Sequence, residues 1–214
     1  MDDLFQTSRA HVEKVDDGLT LLCGRADGTA LINALPAILG VSGWRNMQTP
    51  GGKTIGVAVT NCGDVGWVSD TTGYRYQPMD PVSGNAWPAM PQSWIALASA
   101  AAAECGFDDF VPNACLINRY LPGNRMTSHQ DKNEGDFRHP VVTVSTGLPA
   151  DFLVHGNQRG GSPRVVPVYD GDVMVMGGRA RLWYHGVKTL KGPATEDRPH
   201  RISLTFRYAS AIRR

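Results

Sequence analysis

A histidine and an aspartate two residues apart, His129 and Asp131, are the residues of this chain whose types and spacing most directly suggest chemistry. In an extended segment, residues i and i+2 project from the same face, so the imidazole and the carboxylate could bind one metal ion together. A third ligand from elsewhere would complete the two-histidine, one-carboxylate set that holds non-haem Fe(II). Alone, the pair is a weak signal, because such a short motif also occurs in ordinary solvated turns.

His185 is the candidate third ligand, because it follows a predicted strand at 172–176 and two consecutive glycines. The sequence therefore predicts a metal site made by His129, Asp131 and His185. The other four histidines have no comparable setting and are interpreted as surface or hydrogen-bonded structural residues: His11, His139, His155 and His200.

Residues 201–208 alternate between polar and apolar side chains, as expected for a β-strand with two different faces. The polar face carries Arg201 and Arg207, with Ser203 and Thr205 between them. This face either meets solvent, as on any half-exposed strand, or lines the interior of a barrel. In an interior the two guanidinium groups need an anionic partner, and a dicarboxylate suits them because a guanidinium binds a carboxylate through two hydrogen bonds.

Most of the second half of the chain is predicted to form short strands separated by turns, a pattern typical of jelly rolls. Asn118 and Tyr120 share a face of one such strand and could donate to the same small acid. The predicted fold is mainly β with flanking helices (α+β), on a double-stranded β-helix core. Strands are predicted at 19–23, 54–60, 73–76, 114–120, 141–147, 152–154, 164–169, 172–176 and 201–208, helices at 29–39 (containing Pro36) and 92–105, and a hairpin turn at Asp170-Gly171.

Residues 44–90 differ from the rest, being rich in glycine, proline and aromatic residues. The segment contains Trp67, Tyr74 and Tyr76 together with the basic residues Arg45, Lys53 and Arg75, a combination that can stack bases and contact phosphates. The alternative is an irregular β lobe whose aromatic side chains fill a small core.

The length of 214 residues allows one substantial domain. No apolar stretch is long enough to span a membrane, and the acidic residues 1–5 do not resemble a signal peptide. The four cysteines have no metal-ligand spacing and are interpreted as reduced thiols of a cytoplasmic protein. The protein is expected to be a monomer. A net charge of +1 does not by itself indicate a nucleic-acid partner, which must be argued from local residues.

A series of short motifs in matching order resembles the AlkB family of 2-oxoglutarate/Fe(II) dioxygenases over residues 44–208. The resemblance implies an enzyme that uses Fe(II), 2-oxoglutarate and O2. The motifs are Thr49-Pro50-Gly51-Gly52, Thr60-Asn61-Cys62-Gly63, Gly66-Trp67, Trp87-Pro88-Ala89-Met90-Pro91, Asn118-Arg119-Tyr120, His129-Gln130-Asp131-Lys132, Tyr184-His185-Gly186 and the strand from Arg201 to Arg207.

The resemblance implies a role for each motif residue. His129, Asp131 and His185 would hold Fe(II), and Arg201 with Tyr120 would bind the distal carboxylate of 2-oxoglutarate. Asn118 and the catalytic Arg207 would lie at its metal-proximal end, with Ser203 also in the cosubstrate site. The substrate residues would be Trp67 and Tyr74, which flank the flipped base together with His129, and Tyr76, Lys132, Asn133, Glu134 and Arg159 around them.

Two positions depart from the family pattern. Asn133 stands where bacterial members have an aspartate that meets the base edge, and Lys53 replaces a tyrosine in the loop near the nucleic acid. Both departures concern base preference and leave the implied iron and cosubstrate sites intact.

The implied reaction decarboxylates 2-oxoglutarate to succinate and CO2 and hydroxylates an N-methyl group, which leaves as formaldehyde. The expected substrates are bases of the 1-methyladenine and 3-methylcytosine type in DNA, with RNA and double-stranded DNA as further candidates. Single strands are preferred, because a base that no longer pairs leaves the stack more easily. Two alternatives are an oxygenase acting on a protein side chain or small metabolite, and a metal-sensing β-barrel without activity.

The implied organisation is one dioxygenase domain over residues 1–214. It comprises an N-terminal extension and helix at 1–43, a nucleotide-recognition lid at 44–90, a supporting helix at 91–110 and a catalytic β-core at 111–214.

Overall fold

The computed structural model describes residues 9–192 and 199–209, so the acidic stretch at 1–5 lies outside it. Within these residues the chain forms strands and three α-helices. The helices are α1 (Gly28–Asn33), α2 (Leu35–Val41) and α3 (Gln92–Glu104). The strands are β1 (Val12–Asp16), β2 (Leu19–Leu22), β3 (Ala58–Gly63), β4 (Gly66–Asp70), β5 (Gly73–Gln77), β6 (Ala114–Tyr120), β7 (Met126–His129), β8 (Val141–Gly147), β9 (Ala150–Gly156), β10 (Arg164–Val168), β11 (Val173–Met176), β12 (Tyr184–Val187) and β13 (Arg201–Arg207).

The strands form two principal antiparallel sheets and one separate hairpin. The larger sheet has the order β1-β2-β11-β8-β13-β6-β3, the smaller sheet has the order β10-β9-β12-β7, and β4 pairs only with β5. One hydrophobic cluster joins side chains of both principal sheets, among them Leu116, Phe152 and Met174. This two-sheet arrangement confirms the predicted double-stranded β-helix.

A second hydrophobic cluster lies between the other face of the larger sheet and the helices. Ile202, Leu204 and Phe206 of β13 belong to it, and Trp94 of α3 contacts Phe206 edge-to-face, with ring centroids 6.2 Å apart. Since side chains alternate along a strand, the polar residues of β13 must face the smaller sheet. They are buried there, so the solvent-exposed alternative for this face is wrong.

The helix predicted at 29–39 is two short helices. Asp27 caps the first by accepting a hydrogen bond from the backbone N of Ala30 at 3.1 Å, and the second begins at Leu35 with Pro36 in its first turn. Proline has no backbone N–H and is accommodated only where a helix starts, so Pro36 ends one helix and begins another. The helix predicted at 92–105 is α3, and Gly106 follows it with a positive φ of 87°.

The predicted hairpin at Asp170-Gly171 is wrong, because β10 and β11 belong to different sheets. The turn instead carries the chain from the smaller sheet to the larger one. Gly171 has a φ of 82°, and Asp170 accepts hydrogen bonds from Thr146 Oγ1 at 2.7 Å and from the backbone N of Gly147 at 2.9 Å. The strand predicted at 54–60 begins only at Ala58.

The larger sheet uses segments that the sequence assigns to other regions. Strands β1 and β2 come from the N-terminal extension and β3 from the lid segment, while the β4–β5 hairpin at 66–77 lies outside both principal sheets. We call residues 66–77 the lid hairpin. All four cysteines are free thiols. Among the described residues, none of the helices combines the length and apolar character needed to cross a bilayer.

Candidate active site

The pairing of β7 with β12 brings two histidines together. His129 and His185 are direct register partners, and their ring centroids lie 4.5 Å apart. Asp131 follows β7 by two residues, with its Oδ1 3.7 Å from His129 Nε2 and its Oδ2 4.0 Å from His185 Nε2. The three ligand atoms lie within 4.8 Å of one another.

Both imidazoles are oriented by main-chain carbonyl groups. His129 Nδ1 lies 2.9 Å from the carbonyl O of Thr127, and His185 Nδ1 lies 3.0 Å from that of Trp183. A carbonyl oxygen only accepts, so each Nδ1 carries the proton and each Nε2 offers a lone pair to a metal. Burial, together with the neighbouring His129, lowers the pKa of His185 to about 4, which keeps this imidazole neutral near pH 7.

Asp131 is held ionised by an arginine of β13. Arg207 donates to Asp131 Oδ2 from Nη2 at 2.8 Å and from Nε at 3.2 Å. Burial of the carboxyl group opposes ionisation, but the charge and the hydrogen bonds of Arg207 outweigh it and hold the pKa of Asp131 well below its usual range. Two imidazoles and a carboxylate with converging ligand atoms fit Fe(II).

The register of β13 against its neighbours assembles the predicted cosubstrate site. Arg201 lies opposite Tyr120, and Ser203 lies opposite both Asn118 and Ser145. The guanidinium carbon of Arg201 lies 4.9 Å from the centroid of the Tyr120 ring, and its Nη2 donates to Ser145 Oγ at 2.9 Å.

Two predicted cosubstrate residues have buried polar atoms without a hydrogen-bond partner. Arg201 is 1% exposed, and both its Nε and its Nη1 are unpartnered, as is Asn118 Oδ1. Because unpaired buried donors are costly, the arrangement is suited to an anion that accepts from the guanidinium. The site fits 2-oxoglutarate, whose second carboxylate can approach the metal ligands in the same cavity.

That cavity, of about 60 Å³, lies between the two principal sheets. Every residue predicted to bind the metal or 2-oxoglutarate lines it: Asn118, Tyr120, His129, Asp131, His185, Arg201, Ser203 and Arg207.

The lid hairpin brings two predicted base-stacking residues together. The rings of Trp67 and Tyr74 lie nearly parallel, at 15°, with centroids 5.7 Å apart. Trp67 Nε1 lies 3.4 Å from Asn133 Oδ1, which connects the hairpin to the segment that carries Asp131. Lys132 and Arg159 are exposed, and Arg159 Nε donates to the carbonyl of Ser128 at 3.3 Å.

Tyr76 and Glu134, also predicted to contact the substrate, bond to each other. The Tyr76 hydroxyl donates to Glu134 Oε1 at 2.8 Å, and Glu134 is only 2% exposed. Arg181 Nη2 donates to the other carboxylate oxygen of Glu134 at 3.1 Å. A direct base contact by Glu134 stays a prediction, and the contacts of this carboxylate are with protein side chains.

Further residues line the cavity or contact the residues that do. Thr143, which lines it, and Ser145, which bonds Arg201, alternate with Val142 and Val144 on β8, the same polar-apolar alternation as on β13. Phe152 stacks on the His185 ring at a centroid distance of 5.4 Å. Arg181, 47 residues from Glu134, has no local sequence signal.

Jelly rolls with a two-histidine, one-carboxylate centre and a buried arginine for the cosubstrate are the scaffold of 2-oxoglutarate/Fe(II) oxygenases. Consistently, the family model of the 2OG-Fe(II) oxygenase superfamily matches residues 18–207. The chain is 45% identical over 214 residues to the alpha-ketoglutarate-dependent dioxygenase AlkB of Escherichia coli (strain K12), with 98% of each chain covered. It therefore belongs to the AlkB family of Fe(II)/2-oxoglutarate-dependent dioxygenases, and its cosubstrates are 2-oxoglutarate and O2.

Further relatives extend the comparison. The AlkB of Salmonella typhimurium (strain LT2) is 41% identical over 215 residues, covering 98% of this chain and 99% of its own. The nucleic acid dioxygenase ALKBH1 of Homo sapiens is 35% identical over 136 residues, covering 63% of this chain and 34% of its own. The solved structure of OsALKBH1 shares the fold, with a TM-score of 0.77 and 24% identity over 92% of this chain and 99% of that one.

Proposed function

We propose that this dioxygenase repairs N-alkylated bases in DNA, of the 1-methyladenine and 3-methylcytosine type, by oxidative dealkylation. The reaction converts 2-oxoglutarate to succinate and CO2 and releases the methyl group as formaldehyde. The observation that carries the proposal is the position of the Trp67–Tyr74 pair beside Asn133, two residues from the metal ligand Asp131. An aromatic surface at this place can stack a base whose alkyl group points toward the metal.

The names of the relatives support nucleic acid as the partner. Two bacterial relatives that span nearly the whole chain are named AlkB, and the human relative is named a nucleic acid dioxygenase. A relative from Arabidopsis thaliana, 31% identical over 169 residues, is named a DNA N(6)-methyladenine demethylase. The human and plant names therefore agree with the aromatic lid hairpin in pointing to a nucleic-acid substrate.

In this proposal some residues of the cavity bind the metal and others bind the cosubstrate. His129, Asp131 and His185 hold Fe(II), which when bound supplies the activation of O2 that side chains alone cannot perform. Arg201 binds the distal carboxylate of 2-oxoglutarate, and Tyr120 packs against its guanidinium. The remaining cosubstrate contacts come from Asn118, Ser203 and Arg207.

The substrate end is formed by the lid hairpin and the segment after Asp131. Trp67 stacks on the base, and Asn133 reads its edge through the side-chain amide. Exposed cations at Lys132, Arg159 and Lys53 suit the phosphates of the strand, because lysine and arginine contribute most of the sequence-independent attraction to nucleic acid. Residues 44–90 thus serve as a nucleotide-recognition lid on a single domain.

Single-stranded DNA is the preferred form in this proposal, and the enzyme acts as a cytoplasmic monomer. A methylated base that cannot pair costs less to remove from the stack, and in a single strand no partner base has to be released. RNA and double-stranded DNA are then weaker substrates.

The test measures succinate and formaldehyde together, on a single-stranded oligonucleotide with one 3-methylcytosine. The matched controls are the unmodified oligonucleotide, the same lesion in a duplex and the free methylated nucleotide. We expect both products in equal amounts from the methylated single strand and a lower rate from the duplex. Succinate formed without formaldehyde on every nucleic-acid substrate would contradict the proposal and favour a protein or metabolite substrate.

A further inference from the structure

Four buried charged side chains form one network around the metal ligand Asp131. Arg207 bonds Asp131 Oδ2 and lies with its Nε 3.5 Å from Glu134 Oε1, while Arg181 bonds Glu134 Oε2. None of these four residues is more than 7% exposed. Two guanidinium groups thus face two carboxylates, and a buried network of this kind is tolerated because its charges are paired.

Arg181 connects three points of one loop. Its Nη1 donates to the main-chain carbonyl of Asp131 at 2.7 Å, its Nη2 to Glu134, and its Nε to the carbonyl of His139 at 2.8 Å. The ring of Phe137 covers the guanidinium group at 5.2 Å. A single planar side chain therefore fixes residues 131–139, the loop that carries both the metal ligand and Asn133.

Glu134 extends the network to the lid hairpin. Its Oε1 accepts the hydroxyl hydrogen of Tyr76 at 2.8 Å, and Tyr76 is the direct register partner of Trp67 across β4 and β5. Burial raises the pKa of Tyr76 well above its usual value, so its hydroxyl remains a donor. The hairpin that carries the stacking rings is thus linked to Asp131 through one carboxylate.

We propose that Glu134 and Arg181 are positioning residues that couple the lid hairpin to the metal ligand Asp131, so that oxidation of 2-oxoglutarate is matched to dealkylation of the base. The second part of this inference, the matching of 2-oxoglutarate oxidation to dealkylation, rests on the proposed function. Loss of the Glu134 charge leaves two buried guanidinium groups facing one carboxylate, and the loop and the hairpin lose their common partner. The metal and cosubstrate residues remain, so 2-oxoglutarate is still consumed while the base is no longer held in place.

The first test needs neither metal nor substrate. Amide hydrogen exchange is followed by mass spectrometry in the metal-free protein for Tyr76→Phe and Glu134→Gln. We expect both segments, 66–77 and 131–139, to exchange about tenfold faster in each variant, because a hydrogen bond to a charged group contributes on this scale. Tyr169→Phe removes the same hydroxyl outside the network and should change neither segment. Faster exchange confined to the substituted segment would show that hairpin and loop are not coupled.

The second test measures the ratio of succinate to formaldehyde with the methylated oligonucleotide. The ratio should rise at least about threefold in Glu134→Gln and in Arg181→Met, and Arg181→Lys, which keeps the charge, should restore part of the coupling. A purely structural role would lower both products together and leave the ratio at the wild-type value, which would overturn the proposal. If the wild-type enzyme releases no formaldehyde, the proposed function fails, while the exchange experiment still decides whether the coupling exists.

Discussion

His129 and His185 lie directly opposite each other on β7 and β12, so the metal site is built into the pairing of two strands. At the neighbouring position, a Cβ on Gly186 would meet the carbonyl O of Met126 at 2.7 Å, so glycine permits the close approach of the two strands there. A shift of one residue in the register of β7 against β12 would turn one histidine to the outer face of the sheet. Sheet register therefore fixes the positions of the two histidines, while Asp131 lies on the loop that follows β7.

Alanine at any one of the three metal positions should abolish iron binding and 2-oxoglutarate turnover, because the two remaining ligands hold Fe(II) weakly. The measurement is the iron content of the reconstituted protein together with succinate formation. His155→Ala, which changes a histidine on the adjacent strand β9, is the matched control and should retain its iron. Full activity after one triad substitution would remove that residue from the metal site.

Arg201→Lys should weaken 2-oxoglutarate binding at least ~10-fold, or about 1.4 kcal/mol, since lysine keeps the charge but loses the two-pronged contact with a carboxylate. Titration calorimetry with Mn(II) in place of iron gives the affinity without turnover. Arg119→Lys makes the same change on the outer face of β6, where the guanidinium packs 5.0 Å from the Trp44 ring, and should leave the affinity unchanged. Equal effects of the two substitutions would contradict the role of Arg201.

Much of the cosubstrate site could be predicted because its information is local. The alternation along residues 201–207 distinguishes the packed face from the face that carries Arg201 and Arg207, and both faces are found as expected. The His129-x-Asp131 spacing and the position of His185 after a strand are equally local, and the family motifs add order along the chain.

Information that depends on distant partners could not be predicted. The Asp170-Gly171 turn has the residues of a hairpin, but which sheet each flanking strand joins is decided by β2, β8 and β9. The burial of Glu134 depends on Arg181, far away in the sequence, so only the family resemblance puts this residue at the substrate. The splitting of the first helix is signalled by Pro36, which is tolerated in the first turn of a helix but kinks or shortens one that it interrupts.

Asp80→Asn should destabilise the fold by about 1–3 kcal/mol near neutral pH, the cost of losing hydrogen bonds to a charged group. Asp80 is 2% exposed and accepts from Arg45 Nη2 at 2.7 Å and from the backbone N of Val82 at 3.0 Å. The bonds from Arg45 hold the pKa of Asp80 below its ordinary value of 3.8. The stabilisation is therefore complete above this value and is lost as the pH falls through the lower pKa of the folded state.

Urea denaturation at about pH 7 and about pH 3 checks this dependence. The difference in the free energy of unfolding between Asp80→Asn and the wild type should be smaller at the lower pH. Asp70→Asn is the control, because Asp70 pairs with Arg75 in a similar way but its side chain is 40% exposed, so this substitution should lower the free energy of unfolding much less. A gap that stays constant with pH would show that the charge of Asp80 does not contribute.

Asn133→Asp should raise the catalytic efficiency on 1-methyladenine and 3-methylcytosine several-fold. Methylation at adenine N1 or cytosine N3 leaves the base cationic near neutral pH, and a carboxylate beside the base edge attracts this charge. Asn133 keeps an acceptor oxygen, 3.4 Å from Trp67 Nε1, but has no charge. Glu134 cannot substitute for it, because its carboxylate is already bonded to Tyr76 and Arg181. A charge-assisted hydrogen bond is roughly twice as strong as a neutral one, a difference on the order of 1 kcal/mol.

Initial rates of the wild type and Asn133→Asp are compared on a cationic and a neutral methylated base in the same oligonucleotide. The neutral lesion should gain little, and an equal gain on both would show that position 133 does not read the charge of the base.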